Sequence, residues 1–108
     1  AERAWGTKEP YVALAIAAHA DVLLAAGRPA EALPLAERAH NLAQSRGALV
    51  HPKLRYLSAW VLARALAATG DTTRTTTLAT DARSLAEQSG DTDTAAAISA
   101  WLAEPRTG

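Results

Sequence analysis

Apolar residues recur at helical spacing along the chain, and strand-like alternation is nowhere sustained. In three segments they fall three or four positions apart, which places them on one face of a helix. These stripes consist of Ile16, His19, Ala20 and Leu23, then Leu35, Ala39, Leu42 and Ala43, then Leu78, Ala82, Leu85 and Ala86. The pattern predicts an all-α protein in which His19 is a partly buried core residue.

Gly and Pro divide this pattern into about five helices. We expect them to span approximately residues 10–26, 29–45, 52–69, 72–89 and 92–104. Pro10 suits the first turn of a helix, Asp71 is a plausible N-cap, and Pro34 should bend the second helix or delay its start. The connecting loops are short, so neighbouring helices should lie antiparallel.

The chain also repeats itself. Gly27 and Gly70 lie 43 residues apart, and the same offset relates Ala20 to Ala63 and Leu35 to Leu78, while Ser58-Ala59-Trp60 returns as Ser99-Ala100-Trp101 after 41 residues. One unit is a helix, a turn, a helix and a linker, and such units stack into a superhelix with a concave side. The predicted organisation is a preceding repeat's tail (1–8), repeat one (9–50), repeat two (51–90), a capping helix (91–104) and a tail (105–108).

The residues of this unit resemble a known family. Gly27-Arg28-Pro29-Ala30-Glu31-Ala32-Leu33, followed by Ala39 and preceded by Ala20 and Leu23, looks like a tetratricopeptide repeat. The unit of about 42 residues exceeds the usual 34. With Gly47 and His51-Pro52 in the linker, it is most similar to the repeats of kinesin light chains and of bacterial multidomain regulators. The resemblance implies a right-handed α-solenoid.

The resemblance also implies where a ligand binds. Ligands of tetratricopeptide repeats usually lie along the first helices of the units, and projection onto this chain gives a candidate groove of Leu14, Asp21, Leu24, Leu57, Trp60, Arg64 and Trp101, with Ile98 beside them. Trp and Arg dominate the energetics of protein interfaces. Equally, the two Trp could fill gaps left by the many Ala residues. Asp21 and Arg64 occupy the same place in adjacent units and could either pair or clamp a peptide end.

Composition narrows the possible functions. Eleven Lys and Arg balance eleven Asp and Glu, so no basic surface suggests nucleic acid or membrane as a partner. No catalytic or cofactor motif is recognisable, and the three His lack metal-ligand spacing. The absence of Cys suits a cytoplasmic location. We therefore expect a non-catalytic protein-interaction module without cofactor or metal, part of a larger regulatory protein. The alternative is a structural spacer that forms a homodimer through an exposed N-terminal helix face.

Overall fold

The computed structural model describes the backbone of residues 2–46, 52–71 and 73–103, and the side chains of 12–44, 53–71 and 73–103. Within these ranges it contains five α-helices and no strand: α1 (Glu2–Ala25), α2 (Pro29–Arg46), α3 (Pro52–Ala68), α4 (Thr75–Gln88) and α5 (Thr92–Ala103). Each helix packs against the next one along the chain, and α1 also packs against α3. The prediction of an all-α arrangement of about five helices is confirmed.

Three of the helices end at a glycine in the same conformation. Gly27 (φ 77°), Gly70 (φ 95°) and Gly90 (φ 81°) have left-handed backbones, which non-glycine residues rarely adopt. The N–H of Gly27 donates to the Leu24 carbonyl, and the next N–H donates to Leu23; the same two hydrogen bonds recur at Gly70 and Gly90. This is the Schellman motif. The sequence analysis paired Gly27 with Gly70 by the 43-residue offset, and the two turns have the same geometry. Gly47 lies outside the described residues.

The observed beginnings of the helices agree less well with those predicted from the sequence. At α5, the Thr94 N–H donates to Asp91 Oδ1 at 3.1 Å, which is the geometry of an N-cap. The prediction for Asp71 is wrong, because α4 begins at Thr75 and its N-cap, Arg74, forms no side-chain cap hydrogen bond. The Asp71 carboxylate instead accepts the Thr73 N–H within the turn. The run of β-branched Thr residues disfavours an earlier helix start.

Two Pro residues lie inside helices. The predicted start at Pro10 is wrong, since α1 begins at Glu2 and continues through that position. Residues 2–9 contain Ala, Arg, Lys and Glu, which favour helix, and one Pro removes a single backbone donor. Pro34 likewise lies within α2, which begins at Pro29, so the start of this helix is not delayed.

Alanine provides most of the core. The first buried cluster joins α1, α2 and α3, and the second joins α3, α4 and α5; Leu78 packs against both. Several positions related by 43 residues are buried alike, as in Ala20 with Ala63 and Ala39 with Ala82, each without exposed surface. Small side chains let the helix backbones approach closely. Thr75 replaces Ala32 in the second unit and remains buried because its hydroxyl donates to the Asp71 carbonyl.

One face of α1 differs from its counterpart on α3. His19 is exposed, which contradicts its predicted burial, and Val22 is 63% exposed. Their equivalents on α3, Leu62 and Ala65, have no exposed surface because α1 and α2 cover them. Within the stripe predicted for α1, His19 is therefore the one exposed residue, and the other three are buried or half-buried.

Candidate partner-binding groove

A groove of about 440 Å³ lies between α1, α3 and α5. Five of the seven residues projected from the sequence line it: Leu14, Asp21, Leu57, Trp60 and Arg64. The other lining residues are Ala17, Ala18, Val61, Asp93, Thr94 and Ala97. The groove therefore has a largely apolar lining with charged groups from all three helices.

The apolar lining follows from the helical pattern. Ala17 and Val61 are core residues whose outer surface forms part of the groove wall. Leu14 is one turn away on α1 and is 40% exposed, which is unusual for a large apolar side chain in this protein. An apolar wall with one accessible Leu can bury a side chain of a bound segment.

Arg64 is the most constrained polar residue of the groove. Its Nη2 donates to Asp21 Oδ1 at 2.6 Å, so the equivalent residues of adjacent units form an ion pair. Its Cζ lies 4.8 Å from the centroid of the Trp60 ring, within the range of a cation–π interaction. The Nε atom is buried and has no hydrogen-bond partner. The guanidinium is thus held by one carboxylate and one aromatic face, and its hydrogen-bonding capacity is not exhausted.

Trp60 also touches the second aromatic residue of the prediction. The rings of Trp60 and Trp101 meet edge to face, with centroids 5.1 Å apart and an interplanar angle of 87°. Both rings pack against the second core cluster. The gap-filling role therefore applies to both residues, and Trp60 additionally presents surface to the groove.

Two of the seven projected residues do not line the groove. Leu24 is half-buried and packs against the first core cluster, while Trp101 packs against the second cluster. Ile98, placed beside them in the projection, is fully buried. At the 41-residue offset, Leu57 and Trp60 of α3 line the groove, whereas their equivalents on α5, Ile98 and Trp101, do not.

The sequence analysis missed the lining residues that α5 provides and one on α1. Asp93, Thr94 and Ala97 come from the first two turns of α5, and Ala18 lies between Leu14 and Asp21 on α1. The three residues of α5 lie one and three positions apart, and this spacing is the only sequence signal that could have grouped them. The spacing identifies them as groove residues only when the position of α5 is already known.

Asp91 connects the start of α5 to α3. The Tyr56 hydroxyl donates to Asp91 Oδ2 at 2.6 Å, and the Thr94 hydroxyl donates to the same oxygen at 2.8 Å. Burial, followed by this hydrogen bond, raises the pKa of Tyr56 to about 12. The Tyr56 and Thr94 donors lower the pKa of Asp91. These contacts set the position of α5, and with it one wall of the groove.

A second gap of about 310 Å³ lies between α2 and α4, with Ala59 of α3 at its base. His40, Arg55 and Asp81 line it. Burial and the nearby Arg74 lower the pKa of His40, against the opposing effect of Glu37, and its Nδ1 atom is buried without a hydrogen-bond partner.

No three His, Asp or Glu side chains among the described residues are grouped so that they could hold a metal ion. None of the described helices is long and apolar enough to span a membrane.

Comparison with known proteins finds no relative: no family model matches the chain, and no curated protein or solved structure is significantly similar to it. The class of the protein therefore rests on its own geometry. It is an all-α protein of consecutively packed helices with a groove between α1, α3 and α5.

Proposed function

We propose that this chain is a tetratricopeptide-type segment of a larger cytoplasmic regulatory protein, and that it binds a peptide or partner domain in the groove between α1, α3 and α5. The repeat is supported by the two glycine turns of equal geometry 43 residues apart. It is supported further by the matched burial of Ala20 with Ala63 and of Ala39 with Ala82.

The observation that carries the binding role is the arrangement around Trp60. An Arg and a Trp, the residue types most often responsible for interface energy, stand together on the wall of an apolar groove. Trp101 packs edge to face against the Trp60 ring, so the ring loses little freedom when a partner covers it.

Two adjacent alanines of α5 give a matched test of this role. Ala97 lines the groove and Ala96 does not, although both are exposed on the same helix. A phage-displayed library of random 12-residue peptides is selected on the intact chain, and the affinity of the selected peptides is measured by calorimetry. Ala97→Gln should weaken binding about tenfold by filling part of the groove, while Ala96→Gln should leave it unchanged.

Gln is nearly as good a helix former as Ala, so neither variant should lose helicity. Equal effects of the two substitutions, or a selection without binders, would count against the groove as a binding site.

A second candidate function is a structural spacer that associates with a copy of itself. It is favoured by the exposed face of α1, where Val22 and His19 occupy positions that α3 buries as Ala65 and Leu62. An apolar helix face of this kind commonly marks a contact with another protein surface. Self-association through it would make the mass of the particle depend on concentration.

A further inference from the structure

The charges that line the groove are unequal. Asp21 and Asp93 are acidic, and Arg64 is the one basic residue among the described residues of the lining. Arg64 already donates to Asp21, so its charge is largely compensated inside the groove. Asp93 is exposed and forms no ion pair with another described residue. Among the described residues, the groove therefore presents one uncompensated negative charge.

The two carboxylates remain accessible. The Asp21 side chain is 55% exposed, and its hydrogen bond to Arg64 uses Oδ1, which leaves Oδ2 available to a second donor. The Arg64 side chain is only 27% exposed, because Trp60 covers one face of the guanidinium. An approaching ligand thus meets acceptor oxygens more readily than it meets the cation.

Asp93 also has a local role in α5. It lies in the first turn, where a carboxylate interacts favourably with the helix dipole. This stabilisation uses the backbone donors of the helix and leaves the carboxylate exposed to the groove. An acidic ligand would meet repulsion from both Asp21 and Asp93, and Asp21 already accepts a hydrogen bond from Arg64.

From this charge complementarity we propose that the groove binds a peptide segment carrying a Lys or Arg next to an apolar side chain. The basic group lies between Asp21 and Asp93, and the apolar side chain contacts Leu14 and Leu57. This inference rests on the proposed function and adds the chemical class of the partner to it.

The test uses the same peptide selection on the full chain. The selected 12-residue peptides should be enriched in Lys and Arg relative to Asp and Glu, and their affinity should fall as salt is raised. Asp93→Lys should weaken a selected basic peptide about tenfold, since a repulsive charge replaces an attractive one. Glu87→Lys is the matched control: it makes the same charge change at an exposed position of α4 outside the groove and should leave the affinity within about twofold.

The outcomes separate the two proposals. Peptides that are sensitive to Ala97→Gln but enriched in acidic or uncharged residues would overturn the basic-peptide inference and leave the proposed function standing. Equal losses with Asp93→Lys and Glu87→Lys would overturn the inference too, since they would reflect net charge and not the groove. A selection that yields no binders, or binders indifferent to Ala97→Gln, would overturn the proposed function itself.

Discussion

At the scale of single residues, hydrogen bonds between side chains of different helices set the geometry of the groove. Arg64 ties α3 to α1 through Asp21, and Tyr56 ties α3 to the start of α5 through Asp91. The contact between Asp21 and Arg64 could be anticipated from the sequence, because the 43-residue offset places both residues at the same point of adjacent units. The second contact could not, since no sequence offset relates Tyr56 to Asp91.

The Tyr56 hydrogen bond should make stability depend on pH in the alkaline range. The pKa of Tyr56 is raised from 10.0 to about 12 in the folded chain, so the unfolded chain releases this proton at a lower pH. Tyr56 should therefore make its full contribution to the free energy of unfolding below about pH 10. This contribution should decline as pH rises through about 12. Urea unfolding followed by circular dichroism at several pH values measures this slope.

Tyr56→Phe keeps most of the buried ring and removes the ionising hydroxyl. The alkaline decline attributable to this residue should disappear in the variant, and its stability near neutral pH should be lower because Asp91 loses a donor. An unchanged alkaline slope would show that Tyr56 does not hold its proton as described.

At the scale of helices, the ends were more predictable than the beginnings. A Gly with a left-handed backbone stops a helix wherever the hydrogen bonds of the Schellman motif can form, and this depends on local sequence alone. The residue at which a helix begins depends on which of several nearby residues acts as its N-cap. Asp71 and Asp91 both follow such a Gly and precede a Thr, yet only Asp91 caps its helix.

This contrast gives a matched pair of substitutions. Asp91→Ala removes the acceptor for Tyr56, for the Thr94 N–H and for the Thr94 hydroxyl, whereas Asp71→Ala removes the acceptor for Thr73 alone. We expect Asp91→Ala to lower the midpoint of urea unfolding clearly more than Asp71→Ala.

Amide hydrogen exchange localises the effect. Exchange in the first turn of α5 should accelerate in Asp91→Ala and stay near the parent rate in Asp71→Ala. Equal losses of stability in the two variants would mean that the capping hydrogen bonds of Asp91 contribute little.

At the scale of the whole molecule, the helical pattern predicted the fold class, and the 43-residue repeat predicted the matched burial of Ala residues. Projection from the tetratricopeptide resemblance gave five of the residues that line the groove. The repeat failed where a residue lacks the neighbour that its equivalent has. His19 is exposed because no described residue covers that face of α1, whereas its equivalent Leu62 lies beneath α1 and α2. The groove contribution of α5 was missed because the projection gave Ile98 and Trp101 for this helix, and neither lines the groove.

The open face of α1 leads to a prediction about assembly. If it mediates self-association, analytical ultracentrifugation should show a mass that rises with concentration, and Val22→Gln should return the particle to a monomer. Val22 is 63% exposed, so the substitution should not disturb the fold. Ala96→Gln, on the exposed side of α5, serves as the control. A parent chain that remains monomeric at all concentrations would remove the spacer hypothesis.

The two larger core clusters both include residues of α3: Val61 and Leu62 belong to the first, Tyr56 and Ala63 to the second. During synthesis from the N-terminus, α1 and α2 can complete their cluster only after α3 has left the ribosome. At that moment the α3 residues of the second cluster are still exposed to solvent, and they remain exposed until α4 and α5 have been synthesised. A nascent chain halted in the turn before Thr75 would therefore expose Tyr56 and its neighbours, and it would be a natural substrate for chaperones.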